Sequence, residues 1–179
     1  MVKLKKLILT NKEREQYEKG KLGMSKIVIG CDPDSKKHGV AIYQDGKLIK
    51  LLNVSTLELL DYIQNELAHF DDITAHVENV KGNNAVFMQP SRNSAKKIAE
   101  AKARGRTLGM CQHSQTELER LFEYLNIKVV LHPISKRWKK EKAEFEKTTG
   151  WTARSNDDTR SGAYFGFLGL TQRKNKNVD

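Results

Sequence analysis

Short apolar runs separated by turn residues fill the first half of the chain, and their spacing predicts strands before any helix. Residues 27–31 are apolar and β-branched, residues 38–43 form a second run and residues 47–54 a third. Between the last two, Gln44-Asp45-Gly46 supplies a tight hairpin turn, so three antiparallel strands are expected in succession. The period then changes. Ser55 followed three residues later by Glu58 is a capping-box pattern, and Leu57, Leu59, Leu60, Ile63 and Leu67 recur at helical spacing as far as Ala68. Residues 73–78 return to a strand pattern, and residues 81–92, with their Gly, Asn and Pro, predict a loop. Residues 93–104 predict a basic helix, which Gly105 divides from a second helical stretch ending near Leu125. A fifth strand is expected at residues 127–131, closed by His132-Pro133. The basic segment 136–140 reads as the start of a helix that Gly150 breaks. Ser155 or Asn156 then caps a last helix, where Gly162, Ala163, Phe165, Gly166 and Leu170 predict close packing on a sheet. The pattern is that of one α/β domain.

Length agrees, since 179 residues suffice for a single core and not for two large domains. The organisation expected is a basic extension over 1–26, a domain over 27–172 and a basic tail over 173–179. Two cysteines, Cys31 and Cys111, exclude a disulfide scaffold and suit a reducing compartment. The stretch of 12 residues from 161 to 172 is too short for a membrane span, and the lysines among residues 1–10 do not read as a signal peptide. An intracellular protein is expected.

Charge adds the first functional indication. The net charge of +10 is concentrated in four segments, 1–26, 92–106, 128–147 and 171–179, whereas residues 27–91 hold five lysines against nine acids. An acidic centre flanked by basic segments suits an enzyme acting on a polyanion, with cations on phosphates and carboxylates on a metal ion. On the predicted elements, Asp32 ends the first strand, Glu78 ends the fourth, and Asp157 and Asp158 open the last helix. If a crossover makes the first and fourth strands parallel neighbours, Asp32 and Glu78 emerge at one edge. Converging carboxylates repel one another unless hard divalent cations neutralise them, and oxygen ligands suit Mg²⁺ or Mn²⁺. Two such ions about 4 Å apart can activate water and stabilise a leaving oxygen.

These residues also carry a family resemblance. Ile29-Gly30-Cys31-Asp32-Pro33-Asp34-Ser35 with Gly39-Val40-Ala41 resembles the opening motif of RuvC-type Holliday junction resolvases of the ribonuclease H-like superfamily. His76-Val77-Glu78-Asn79-Val80 is similar to the second carboxylate motif, and Ala103-Arg104-Gly105-Arg106 with Leu108-Gly109 to the helical segment after it. Ile127-Lys128-Val129-Val130 with Pro133 and Trp138-Lys139-Lys140 resembles the strand and basic loop, and Asn156-Asp157-Asp158-Thr159-Arg160-Ser161 the terminal acidic motif. Together these cover roughly residues 27–170. Departures are Asp34 in place of a glycine, His38 in place of a small residue, and Ser161 where a second acid often follows; Lys81 stands near the position of a stacking aromatic, for which Phe87 or Met88 can substitute.

The resemblance implies a ribonuclease H-like α/β fold, a five-stranded mixed sheet flanked by helices. It implies a Mg²⁺-dependent endonuclease for branched DNA such as four-way junctions, homodimeric, in the cytoplasm of a bacterium or a phage-infected cell. Asp32, Glu78, Asp158 and Asp157 are the expected catalytic residues, with Asp32, Glu78 and Asp158 on the metal; between the paired aspartates, Asp158 is favoured. Lys81, Phe87, Arg104, Arg106, Lys136, Arg137, Trp138, Lys139 and Lys140 are the expected nucleic-acid contacts. The alternatives are a nuclease for other structured DNA or RNA and an inactive binding module of the same fold. His38, His76, His113 and His132 lack the paired spacing of a zinc site, and structural or surface roles are expected for them, although His38 can orient water or phosphate.

Overall fold

A computed structural model of the chain describes residues 25–82 and 95–174. Residues 1–24 of the 1–26 extension, residues 175–179 of the tail, the loop residue Phe87 and its neighbour Met88 lie outside the described residues. Three strands come first, β1 (Lys26–Asp32), β2 (His38–Gln44) and β3 (Lys47–Val54), followed by helix α1 (Thr56–Glu66) and strand β4 (Asp72–Glu78). A 3₁₀ turn (Val80–Gly82), helix α2 (Ala95–Tyr124), strand β5 (Lys128–His132) and helices α3 (Lys142–Thr149) and α4 (Asp157–Lys174) complete the order. The sheet runs β3-β2-β1-β4-β5, antiparallel across the first three strands and parallel from β1 through β4 to β5. This mixed sheet, covered by helices on both faces, is the ribonuclease H-like α/β architecture that the motifs imply.

Local chemistry explains several boundaries. Asp45 and Gly46 both have positive φ, 50° and 84°, the backbone of a type I′ turn whose twist matches the flanking strands. Ser55 and Glu58 form the expected capping box, each side chain serving the other's backbone N–H. Asn156 caps α4, its Oδ1 accepting from Thr159 N at 2.8 Å while Asn156 N donates to Thr159 Oγ1 at 3.0 Å.

Two expectations are corrected. Gly105 does not divide two helices, because α2 runs through it for 30 residues, about 45 Å. An interior glycine costs only about 1 kcal/mol, less than a helix loses by giving up its hydrogen-bond ladder. The second correction concerns residues 136–140, which form a turn; Trp138 takes a left-handed φ of 62°, and the helix starts only at Lys142.

Alternation along the strands splits the core in two. Ile27, Ile29 and Cys31 of β1 point with Val40 and Ile42 toward α1 and α2, so Cys31 faces the core. Val28, Ala41 and Tyr43 point the other way, toward Ala163 of α4 and the Trp138 and Phe145 side chains. On this second face the helix touches the sheet backbone. A Cβ on Gly30 would collide with the carbonyl oxygen of Gly162 and the amide of Gly166, one on Gly39 with the carbonyl of Asp158, and one on Gly162 with the carbonyl of Gly39. The Tyr43 hydroxyl adds a bond to Ala163 O at 2.8 Å.

The same face buries His76 of β4 and His132 of β5, with His76 Nδ1 2.8 Å from His132 Nε2 and His76 packed against Gly169. One ring donates and the other accepts, which requires the accepting ring to be neutral. Burial first, then the neighbouring His132 and Lys128, pushes His76 down from 6.5 to about 4, and burial lowers His132 as well.

Two predictions follow from this packing. Gly162→Ala should destabilise the domain by about 3 kcal/mol, as backbone overpacking does, whereas Gly105→Ala, with nothing within 4 Å, should stabilise it by roughly 0.5–1 kcal/mol. Denaturant midpoints of the two variants should move in opposite directions; a Gly162→Ala midpoint equal to wild type would refute the close approach. Between pH 6.5 and about 4 the unfolded chain binds protons that folded His76 refuses, so stability should fall as pH is lowered through that window. His76→Gln should flatten this slope in urea titrations at pH 7, 5.5 and 4.5, and an equal slope in both proteins would remove the pair as its cause.

Candidate active site

β1 and β4 are parallel neighbours in a register that pairs Cys31 with Val77, so the next residues, Asp32 and Glu78, leave the sheet side by side. Both side chains face α4 and both residues are nearly closed to solvent, 3% and 8% exposed. On the other flank Asp32 pairs with Gly39 of β2, and the backbone of Asp158 lies directly over Gly39. The missing side chains of Gly39 and Gly162 thereby let the N-terminus of α4 carry Asp158 toward the carboxylate edge.

The Asp32 and Glu78 carboxyls lie close enough to interact, and Glu78 Oε1 accepts from Ser135 N at 3.2 Å. Burial, then the adjacent Asp32 carboxylate, raises Glu78 to about 8, against the opposing pull of the Ser135 amide and Lys139. Two close carboxyls in a buried place hold a proton between them until a stronger cation arrives.

Such a cation is already present in the chain. Lys139 Nζ lies 3.0 Å from Asp32 Oδ2 and 3.2 Å from Asp158 Oδ1, bridging the two. Burial works against this ammonium, but Asp32 and Asp158 outweigh it and hold its pKa above the ordinary lysine value. Asp157 points elsewhere, into ion pairs with Lys140 at 2.9 Å and with Arg160. Successive residues on a helix diverge by about 100°, so only one of the two aspartates faces the Asp32 edge, and it is Asp158.

The loop that delivers Lys139 is built from inside. Trp138, expected to contact nucleic acid, is only 2% exposed and packs against Phe145, Tyr164 and Phe167 with ring centroids 5.2–5.6 Å apart. It has no face left for a base, and that expectation is corrected. Arg160, buried one turn into α4, donates from Nε to Trp138 O at 3.0 Å and from Nη2 to Lys139 O at 2.8 Å. Ser155 Oγ takes its third nitrogen at 3.3 Å. Sequence reasoning passed over Arg160, although an arginine on an otherwise small and aromatic helix face, three residues after Asp157, is a signal for a buried guanidinium with a partner.

Of the other expected contacts, Lys136, Arg137 and Lys140 are exposed around Lys139, and Arg104 and Arg106 are exposed on α2. The Cys111 thiol of α2 lies close enough to Asp34 and Ser35 to feel both, which places the helix beside the loop after Asp32. Arg106 and Arg104 are about 8 and 10 Å further along that axis. Lys81 is drawn into a different network, with Nζ on Glu119 at 2.7 Å. Gln115, fully buried and also missed in the sequence, accepts from Lys81 N at 2.9 Å and donates to Asn79 and Glu119, tying the exit of β4 to α2. His38 has both ring nitrogens engaged, by Thr56 Oγ1 at 3.0 Å and the Asp34 amide at 3.4 Å.

Among the described residues no group of three or more His, Cys, Asp or Glu side chains is placed to hold a metal ion; Asp32 neighbours Glu78, and Asp158 is joined to Asp32 through Lys139. The oxygen donors are of the kind that a hard divalent cation takes. Three carboxylates meet at one edge, a positive charge already stands between two of them, and Ser161, one turn on from Asp158, has a buried hydroxyl with no hydrogen-bond partner among the described residues.

No helix among the described residues is long and apolar enough to cross a membrane. No known family profile matches the chain, and no curated protein matches it. Among solved structures it is similar to Thermus thermophilus RuvC in complex with a Holliday junction substrate, at 10% identity and a TM-score of 0.49, over 83% of this chain and 95% of that one. It is also similar to a second Thermus thermophilus RuvC structure, at 12% identity and a TM-score of 0.47, over 83% of this chain and 96% of that one.

Proposed function

We propose that the chain is a Mg²⁺-dependent endonuclease, with Mn²⁺ able to substitute, that acts as a homodimer on branched DNA such as four-way junctions. The observation that carries this proposal is the buried Asp32–Glu78 pair with Asp158 beside it, at a sheet edge rimmed by exposed Lys136, Arg137 and Lys140. The preference for junctions rests on the motif resemblance around these carboxylates, and the dimer on the same ground.

Asp32, Glu78 and Asp158 would hold the metal, which when bound supplies Lewis acidity and a water of lowered pKa. The chain's own groups do the rest. Glu78 would release its proton to solvent on taking the metal, and the exposed Lys136, Arg137 and Lys140 with Arg104 and Arg106 of α2 would grip phosphates on either side. Water adds to phosphorus, the bridging P–O bond breaks, and its oxygen leaves as a hydroxyl. Because the carboxylates are fixed by backbone contacts, positioning requires little rearrangement at the reacting phosphate.

Asp32→Asn, Glu78→Gln and Asp158→Asn should each lower turnover by about 10²- to 10³-fold, the scale of several kcal/mol of transition-state stabilisation, while DNA binding persists. Asp157→Asn should cost far less, since its partners are Lys140 and Arg160. Cleavage of a four-way junction, linear duplex, flap and RNA hybrid in Mg²⁺, Mn²⁺, Ca²⁺ and excess chelator decides the substrate class. Full activity in chelator, or near wild-type rates in all three variants, would refute the proposal.

Association supplies a second test. A junction presents phosphates from several arms, so a dimer should bind it with a steeper salt dependence than duplex, and charge reversal at Lys136, Arg137 and Lys140 should flatten that slope. Anisotropy across a salt series, with mass by light scattering, checks both points; equal slopes on a monomer would point to a general nuclease or a binding module.

A further inference from the structure

The loop after β5 places an apolar side chain beside a charged edge. We infer that Ile134, together with the adjoining Pro133, takes the face of an unstacked base next to the carboxylates and so selects branched DNA, an inference that rests on the proposed action on DNA.

Ile134 is 44% exposed, between exposed Pro133 on one side and exposed Lys136 and Arg137 beyond Ser135 on the other. Single exposed apolar residues are ordinary on a protein surface. What sets this one apart is how its backbone is held. Two positions before it, His132 is buried, pairs in register with Glu78 and accepts from Asn79 N at 2.7 Å. The residue after it, Ser135, donates its amide to Glu78 Oε1 at 3.2 Å, and its hydroxyl accepts from Arg137 N at 3.2 Å. Between these anchors Pro133 has a fixed φ. The chain therefore presents Ile134 to water at a defined place, its Cα about 3.8 Å from that of the residue bound to Glu78. A group held in advance loses less freedom when a ligand meets it, so the contact is retained more fully in the affinity.

The surroundings select the occupant. An apolar peptide segment laid on Ile134 would cover Lys136, Arg137 and the Glu78 edge without partners for them, and buried unpaired charges are costly. A nucleotide suits both parts of the surface, with phosphates on the cations and the uncharged face of a base on the isoleucine. Isoleucine, leucine and proline act in this way as wedges between base steps. Within a continuous duplex each base face is covered by its stacked neighbours. At a branch point the stack is interrupted, and a face opens at lower cost. An isoleucine one residue from the group bound to Glu78 thus favours a phosphate beside a branch over one inside an unbroken helix. The preference acquires a cause in the chain's own surface.

The test follows the base directly and needs no metal. A four-way junction carrying 2-aminopurine at the branch point, a second carrying it well inside one arm, and a matched duplex are titrated in excess chelator with the full-length chain and its Ile134→Ser, Ile134→Leu and Ile49→Ser variants. Each variant is first checked for a wild-type circular dichroism spectrum. Ile49 is the control, an isoleucine of similar exposure, 40%, on β3 at the opposite edge of the sheet. In the wild type, Ile134→Leu and Ile49→Ser, binding should brighten the branch-point probe and leave the probe inside the arm unchanged. Ile134→Ser should lose the brightening and bind the junction about fivefold or more weakly, with duplex affinity within about twofold of wild type, the scale of one lost base contact. A wild type that binds the junction without brightening the probe, or an Ile134→Ser variant with wild-type brightening and wild-type junction preference, would overturn the inference and leave the nuclease reading standing. No binding of either DNA by the wild type would remove both.

Discussion

Contact between the backbone of α4 and the backbones of β1 and β2 is the constraint on which the other features depend. Most helices stand off a sheet by the thickness of two side-chain layers, and functional groups at a helix end are then remote from groups at a strand end. Here Gly30, Gly39, Gly162 and Gly166 remove that layer. The approach is paid for by the loss of four side chains from the core and compensated by Trp138, Phe145, Tyr43 and Phe165, which fill the space around the contact. Asp158 is delivered as a by-product of packing. Its place over Gly39 depends on the glycine there, because a Cβ would meet the Asp158 carbonyl and the Thr159 amide, which no rotamer change can move.

The electrostatics of the site follow from that geometry. Asp32 and Glu78 are brought together by strand register and buried by the helix, which raises the cost of charging both. A carboxylate edge of this kind is unstable as a fully ionised array, and the fold meets the difficulty with a proton on one side and the Lys139 ammonium on the other.

Much of this was legible in the sequence where the determinant is local. The Asp45-Gly46 turn, the Ser55 and Glu58 capping box and the strand alternation depend on residues within a few positions of one another, and they stand where expected. Asp32 and Glu78 could be placed at one edge because a parallel pair of strands follows from the order of elements. What could not be read depends on contacts distant in sequence. Gly105 looks like a boundary because glycine weakens a helix, yet no alternative partner competes for that stretch and the ladder continues. Residues 136–140 look like a basic surface helix. Their turn is imposed by Arg160, some twenty residues on, and by an aromatic cluster that draws Trp138 inward, so Lys139 emerges among acids and not toward solvent. Lys81 is likewise captured by Glu119, across a distance of 38 positions.

One more property is contained in the clamp at Arg160. The guanidinium that fixes the Lys139 backbone and the aspartate that faces Lys139 are two residues apart on the same helix. Any sliding or tilting of α4 against the sheet therefore carries acid, clamp and tethered ammonium along as one body. Their mutual spacing is conserved through such excursions, and the displacement is felt only across the seam to Asp32 and Glu78. A displacement of α4 would thus reach the site as a change in the width of that seam, and a ligand bridging it would act on the whole helix at once.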